Sequence, residues 1–301
     1  MEKSEVSACT PRQNTTNSVR VLILLVLAFV GAIVTGGAMK ALTAMKVDIM
    51  WSIVLQDVLL FIVPAILLAV ICYKRPWHFL EVDHAPSWLG LAVVVLVWAV
   101  SLPALNWITD WNQNMHLPES LATLERALRA MEDSATALTK QLLSMTTVAD
   151  LLLGVLVVGM MAGLSEELFF RGAMLGIMRR GRANIHVVIW AVAVIFSAIH
   201  MQFFGFVPRM LLGAWFGYLL LWTRSLWAPI IAHSLNNSAV VVMDWLADNN
   251  LINGDAVDHL GVPADGAFPW LAACSALLTV ALIVGARQFF RKKQAKYSAC
   301  L

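Results

Sequence analysis

Charge is what this sequence is short of. Only 13% of its 301 residues are Asp, Glu, Lys or Arg, against 60% hydrophobic, where soluble domains carry roughly 25% charged residues. So little charge points to lipid as the main solvent. Cysteine is equally thin. Cys9, Cys72, Cys274 and Cys300 are scattered, with neither disulfide-framework nor metal-ligand spacing. The closing residues YSACL put Ser298, not a cysteine, fourth from the end, so there is no prenylation signal. Internal repeats are lacking, against the paired halves of a secondary transporter. Short alternating segments are lacking too, which excludes an outer-membrane barrel.

Continuous apolar runs take their place, at 20–39, 49–73, 87–109, 147–178, 185–204, 207–223, 226–246 and 269–289. A bilayer-spanning helix needs about 20 residues, and backbone in lipid has to bond to itself. These runs predict an all-α bundle of about eight transmembrane helices. The leader 1–19 mixes Glu2 and Glu5 with Lys3 and Arg12. It resembles neither a cleaved signal nor a transit peptide, so the first run is expected to stay as a span. The expected organisation is this leader, one membrane domain at 20–290 and a basic tail at 291–301.

Lysine and arginine in short loops set topology. Arg20, the cluster Arg179, Arg180 and Arg182, and the tail with Arg287, Arg291, Lys292, Lys293 and Lys296 all fall on one side of an eight-span chain. The loop 247–268 has neither Lys nor Arg but carries Asp248, Asp255, Asp258 and Asp265. Lys40 and Lys46 are a mild exception. Both termini are expected in the cytoplasm, in a bacterial cytoplasmic membrane. The net charge of +2 then reflects topology, with no nucleic-acid partner implied. Asp57 and Asp244, near predicted span ends, read as interfacial. Arg209, after Pro208, reads as an anchor at a helix start.

One extended polar segment, 117–145, carries Leu117, Leu121, Leu124, Leu128, Met131, Ala135, Leu138, Leu142 and Met145 in steps of four and three. Such steps line one face of a helix. They predict an amphipathic helix outside the membrane, lying on the bundle or the interface. A dimerising coiled coil and a lid over a cavity are the other readings of the stripe.

Charge inside an apolar run is functional by default, and GLSEELFFRGAM at 163–174 holds three charges. Glu167 and Arg171 are four apart and can pair on one face. Glu166 is turned about 100° away and has no cation at helical spacing, so it is the free carboxylate. His200 and His233 lie well inside apolar runs, with Phe196 four residues before the first and Asn237 four after the second. A carboxylate and a histidine can activate a water, while a histidine and an asparagine can stabilise an oxyanion. Glu166, His200 and His233 could instead ligate a divalent metal such as zinc, although no HExxH pair is present. Either arrangement suits peptide-bond hydrolysis. A non-catalytic membrane protein that binds a peptide or partner, as an immunity or maturation factor, is the alternative, and a transporter the third reading.

The order EELFFR, FSAIH, HSLNN resembles the motif set of the CPBP family of intramembrane proteases, which groups type 2 CAAX prenyl-proteases with bacteriocin-processing (Abi) proteins. The family pattern, Glu-Glu-x-x-x-Arg, Phe-x-x-x-His and His-x-x-x-Asn/Asp, reads here as Glu166, Glu167 and Arg171; Phe196 and His200; His233 and Asn237. The match covers about 148–246. The resemblance implies a helical bundle around a conical cavity open to cytosol and membrane. It implies that Glu166 and His200 activate the attacking water and that His233 and Asn237 support the oxyanion. The substrate would be a membrane-associated protein or peptide. The family is labelled metalloprotease, though a metal-independent glutamate mechanism is also argued for it; a tightly bound metal is not expected.

Overall fold

A computed structural model describes residues 12, 15–263 and 267–299, apart from the side chains of Asp255, Asp258 and 291–299. Glu2, Lys3, Glu5, Cys9, Asp265 and Cys300 lie outside the described residues, as do the side chains of the basic tail. Among the described residues there is helix and no strand.

Each long apolar run folds as a helix. We label them α1 (Asn17–Ala44), α2 (Ile49–Cys72), α3 (Trp88–Gln113), α5 (Val148–Met178), α6 (Ile185–Ala198), α7 (Phe206–Thr223), α8 (Trp227–Asp248) and α9 (Trp270–Ala299), with α4 (Ala122–Leu143) the amphipathic segment. Short polar residues set the starts. Asp48 accepts from Met50 N at 2.8 Å and Asn184 from His186 N at 2.9 Å, and Thr147 forms a capping box with Asp150. Six of these helices are long and apolar enough to cross a membrane by length and composition. The others among the apolar runs are α6, shorter at 14 residues, and α8, whose turns carry His233, Ser234, Asn236 and Asn237. The outward faces fit lipid: Phe29 is 66% and Leu277 74% exposed, a surface that would aggregate in water. The chain is a multi-pass membrane protein.

The expected run 185–204 is shortened. Helix α6 stops at Ala198 because Met201 takes a left-handed φ of 55°, which ends a helix. Pro103 interrupts the ladder of α3, and the Ser275 hydroxyl from α9 enters the gap. It accepts from Ala104 N at 3.3 Å and donates to Val100 O at 2.5 Å, keeping both groups satisfied in lipid.

The main core gathers Phe61, Leu68, Phe79, Leu80, Phe170, Ile177, Phe196 and Leu226. Part of it is the loop between α2 and α3, which closes one end of the bundle. There Arg179 Nη2 donates to Glu81 Oε1 at 2.6 Å and Leu226 N to Glu81 O at 2.8 Å.

The apolar stripe of 117–145 meets the bundle at its end, where Leu142 and Met145 pack with Val157 and Val241. Leu121, Leu124, Met131 and Leu138 of the apolar stripe are exposed. Polar residues on the adjoining face touch the bundle: Glu132 bonds Gln202 and Phe204, and the Arg129 guanidinium lies 4.1 Å from the Phe204 ring centre. Backbone groups at the α6–α7 turn need partners, and a carboxylate supplies them better than a leucine.

Candidate active site

The site is built where α5 and α8 meet. Gly159 and Gly163 are one turn apart on α5, facing Ser238 and Ser234 on α8. A Cβ on Gly163 would stand 2.5 Å from Ser234 Oγ and 2.8 Å from its backbone nitrogen; one on Gly159 would run into Ser238 Oγ. Only hydrogen fits there, so the two backbones approach as in small-xxx-small membrane pairs. Three turns of α5 and α2, at Asp57–Ile62, Val155–Met161 and Leu168–Leu175, are π-helical. Wide turns of this kind recur at functional sites.

That close approach brings Glu166 and Glu167 to His233. Arg171 Nη1 donates to Glu167 Oε1 at 2.7 Å, and both side chains have no exposed surface. Arg171 Nη2 donates to Gly213 O at 2.9 Å on α7. Phe196 and Phe216 lie over the guanidinium at 4.4 and 5.4 Å. His233 Nδ1 is 2.9 Å from the same Glu167 Oε1, and its ring stacks on Phe216 at 4.9 Å between centroids. A carboxylate only accepts, so Nδ1 carries the proton. His233 Nε2 then faces Glu166 Oε2 at 3.9 Å, beyond hydrogen-bond range. Glu166 Oε2 is buried with no hydrogen-bond partner.

His200 joins through Phe196, whose ring centre is 5.2 Å from His200 and 5.8 Å from His233. His200 Nδ1 donates to Phe196 O at 2.8 Å, since a carbonyl can only accept. Its Nε2 is therefore left with a lone pair. Asn237 sits one turn beyond His233. Its amide makes only a long contact to Val158 O at 3.5 Å and a 3.4 Å contact with Asn236, which leaves it available. Among the described residues no three His, Cys, Asp or Glu side chains are grouped as metal ligands; the residues as placed do not fit a three-ligand zinc site.

Two groups missed by the pattern belong near this site. Asp57 is not interfacial: it is 3% exposed in the middle of α2, one oxygen lacks a partner, and Ser165 and Glu166 are its neighbours. Hydropathy placed it near a span end, but α2 packs against α5 there. Arg209 does lie in the first turn of α7, and its Nη2 donates to Gln202 Oε1 at 2.8 Å. Its Nη1 is buried without a hydrogen bond. The signal in the sequence for this architecture is the GMMAG stretch at 159–163, whose two glycines are one helical turn apart.

Comparison with known proteins falls on the same residues. Residues 148–239 match the family model described as Rce1-like, type II CAAX prenyl endopeptidase. No curated protein and no solved structure matches the chain. The matched segment holds Glu166, Glu167, Arg171, Phe196, His200, His233 and Asn237, so this part of the chain is similar to the Rce1-like family of type II CAAX prenyl endopeptidases.

Proposed function

We propose that the protein is an intramembrane endopeptidase that hydrolyses a peptide bond of a membrane-associated protein or peptide. One observation carries the reading: a buried glutamate oxygen without a hydrogen bond, 3.9 Å from a histidine nitrogen, inside an apolar helix. Glu167 also has one buried oxygen without a partner, but its other oxygen accepts from Arg171 and His233, whereas Glu166 only faces His233 at 3.9 Å.

In the proposed reaction Glu166 takes a proton from a water that also donates to His200 Nε2. The water oxygen bonds to the scissile carbonyl carbon. The oxyanion accepts from Asn237 Nδ2 and His233 Nε2. Donation by His233 requires protons on both ring nitrogens, with Glu167 as its counter-ion throughout and the oxyanion taking the place of Glu166 once that carboxylate holds the water's proton. The carbon–nitrogen bond then breaks as the proton held by Glu166 passes to the leaving amine. Glu167 and Arg171 orient His233 and Phe196 packs both histidines. No step is routed through a metal.

The family description makes a prenylated C-terminal peptide the first substrate to try. The basic residues at the α5–α6 turn and the tail support an orientation with both termini in the cytoplasm.

The test is direct. The protein and its Glu166→Ala and His200→Ala variants are reconstituted in liposomes. Each is given a farnesylated peptide ending in a CAAX-type tetrapeptide, and an unprenylated membrane-anchored peptide. Mass spectrometry is expected to find product with the parent protein and none with the variants. Normal expression with unchanged processing in both variants would defeat the reading. Solute flux that depends on Glu166, without product, would favour a transporter.

A further inference from the structure

His200 stands on a turn that side chains from two distant helices brace. After Ala198 the backbone reverses within a few residues to start α7 at Phe206. It does so through Met201 at a φ of 55°, a left-handed conformation disfavoured for a residue with a long side chain. Strain of this kind persists only when the surroundings over-determine it. His200 makes its ring hydrogen bond to Phe196 O, in the last turn of α6. The direction of Nε2 therefore follows wherever that turn is held.

Two side chains from outside the family-matched segment do the holding. Asn112, at the end of α3, is 1% exposed. Its Oδ1 accepts from Val207 N at 2.8 Å and its Nδ2 donates to Phe203 O at 3.3 Å. It thus satisfies backbone groups on both sides of the reversal. Glu132, on α4, accepts from Phe204 N at 3.1 Å and from Gln202 Nε2 at 3.2 Å. Gln202 in turn accepts from Arg209 at 2.8 Å. Within the turn itself, Ser197 Oγ donates to Phe206 O at 2.7 Å and Met201 N to Ala198 O at 3.0 Å.

We propose that Asn112 and Glu132 are positioning residues for His200, and that the contact of α4 with the α6–α7 turn serves the active site. This rests on the endopeptidase reading for its catalytic consequence, while the clamp itself is independent of it. It also gives α4 a use that its exposed leucines do not: its carboxylate completes the site.

The experiment has two arms. In the first, kcat and KM are measured with the peptide that the parent protein cleaves, for Asn112→Ala, Glu132→Ala and Glu132→Gln. Displacement of a catalytic group by about 1 Å costs on the order of 10²-fold. Asn112→Ala and Glu132→Ala are therefore expected to lower kcat by about that factor with KM unchanged. Glu132→Gln keeps an oxygen for Phe204 N and is expected to recover most of kcat. In the second arm, spin labels at the exposed positions Ser134 and Ala198 report the distance between α4 and the end of α6. One narrow distribution is expected in the parent protein and a broad one in Glu132→Ala. A kcat unchanged in both alanine variants, or a distance distribution that does not respond, overturns the proposal. If Asn112→Ala does not fold, the Glu132 pair decides. If the parent protein cleaves no peptide, the endopeptidase reading fails while the label arm still upholds or overturns the clamp.

Discussion

His233 Nδ1 lies 2.9 Å from Oε1 of Glu167, the oxygen that also accepts from Arg171 at 2.7 Å. A single carboxylate oxygen thus joins two helices, α5 and α8, and neutralises a cation with no exposed surface. Glu167 is more than the counter-ion of Arg171: it fixes which nitrogen of His233 faces Glu166.

This relationship makes Glu167→Gln a severe substitution. It leaves the Arg171 charge buried without a counter-ion, and breaking a buried pair from one side costs about 3–5 kcal/mol. The expected outcome is that loss in tryptophan-monitored unfolding in micelles. Glu167→Gln combined with Arg171→Met is expected to regain much of it, because no buried charge is left alone. A double variant no more stable than the single one would show that Gly213 and the phenylalanines, and not charge pairing, set the cost.

Gly163→Ala tests the helix approach. The added methyl meets the Ser234 side chain and backbone nitrogen, and overpacking costs about 1–3 kcal/mol. Since α8 has to move as a unit, His233 and Asn237 move with it. Activity is expected to fall far more than stability. Equal activity at normal expression would mean that the spacing between α5 and α8 is not what aligns Glu166 with His233.

The pH dependence of α4 follows from Glu125, which lies outside the membrane-spanning helices. Its carboxyl is held down to about 2 from an ordinary 4.5, first by the Leu117 backbone N–H and next by Arg129. A folded value below the unfolded one stabilises the docked start of α4 at pH above 4.5. The contribution is lost as pH falls towards about 2. A spin label at the exposed Ser120 is expected to gain mobility over that window. In Glu125→Gln the label is expected to be mobile throughout, and a parent-like acid transition there would refute the assignment.

Chelators supply the last test. The proposed chemistry uses Glu166 and His200 with no metal step, so turnover is expected to survive dialysis against a strong chelator. Elemental analysis of the purified protein is the control. Stoichiometric zinc that disappears in His200→Ala would replace the glutamate mechanism with a metal one.

Much of the architecture was legible in one dimension. Spans show in sequence because lipid imposes a long uniform solvent requirement, and each apolar run reappears as a helix. The exception at α6 came from a single residue, Met201, whose left-handed turn leaves no mark in hydropathy. The i, i+4 pairing of Glu167 with Arg171 was readable because helix periodicity is local. The docking of α4 was legible only in part: the end of its stripe packs on the bundle through Leu142 and Met145, but the contacts of Glu132 with the 202–204 turn leave no mark in the pattern.

By itself the sequence determined an all-helical membrane protein, the charged residues to watch and their order along the chain. Only the tertiary structure decided that His233 bonds Glu167 and merely faces Glu166, that Asp57 is buried beside the site, and that Asn112 and Glu132 hold the turn bearing His200. The physical reason is range. Hydropathy and helical spacing act over a few residues, whereas these contacts join segments far apart in the chain and depend on how closely two backbones can pack.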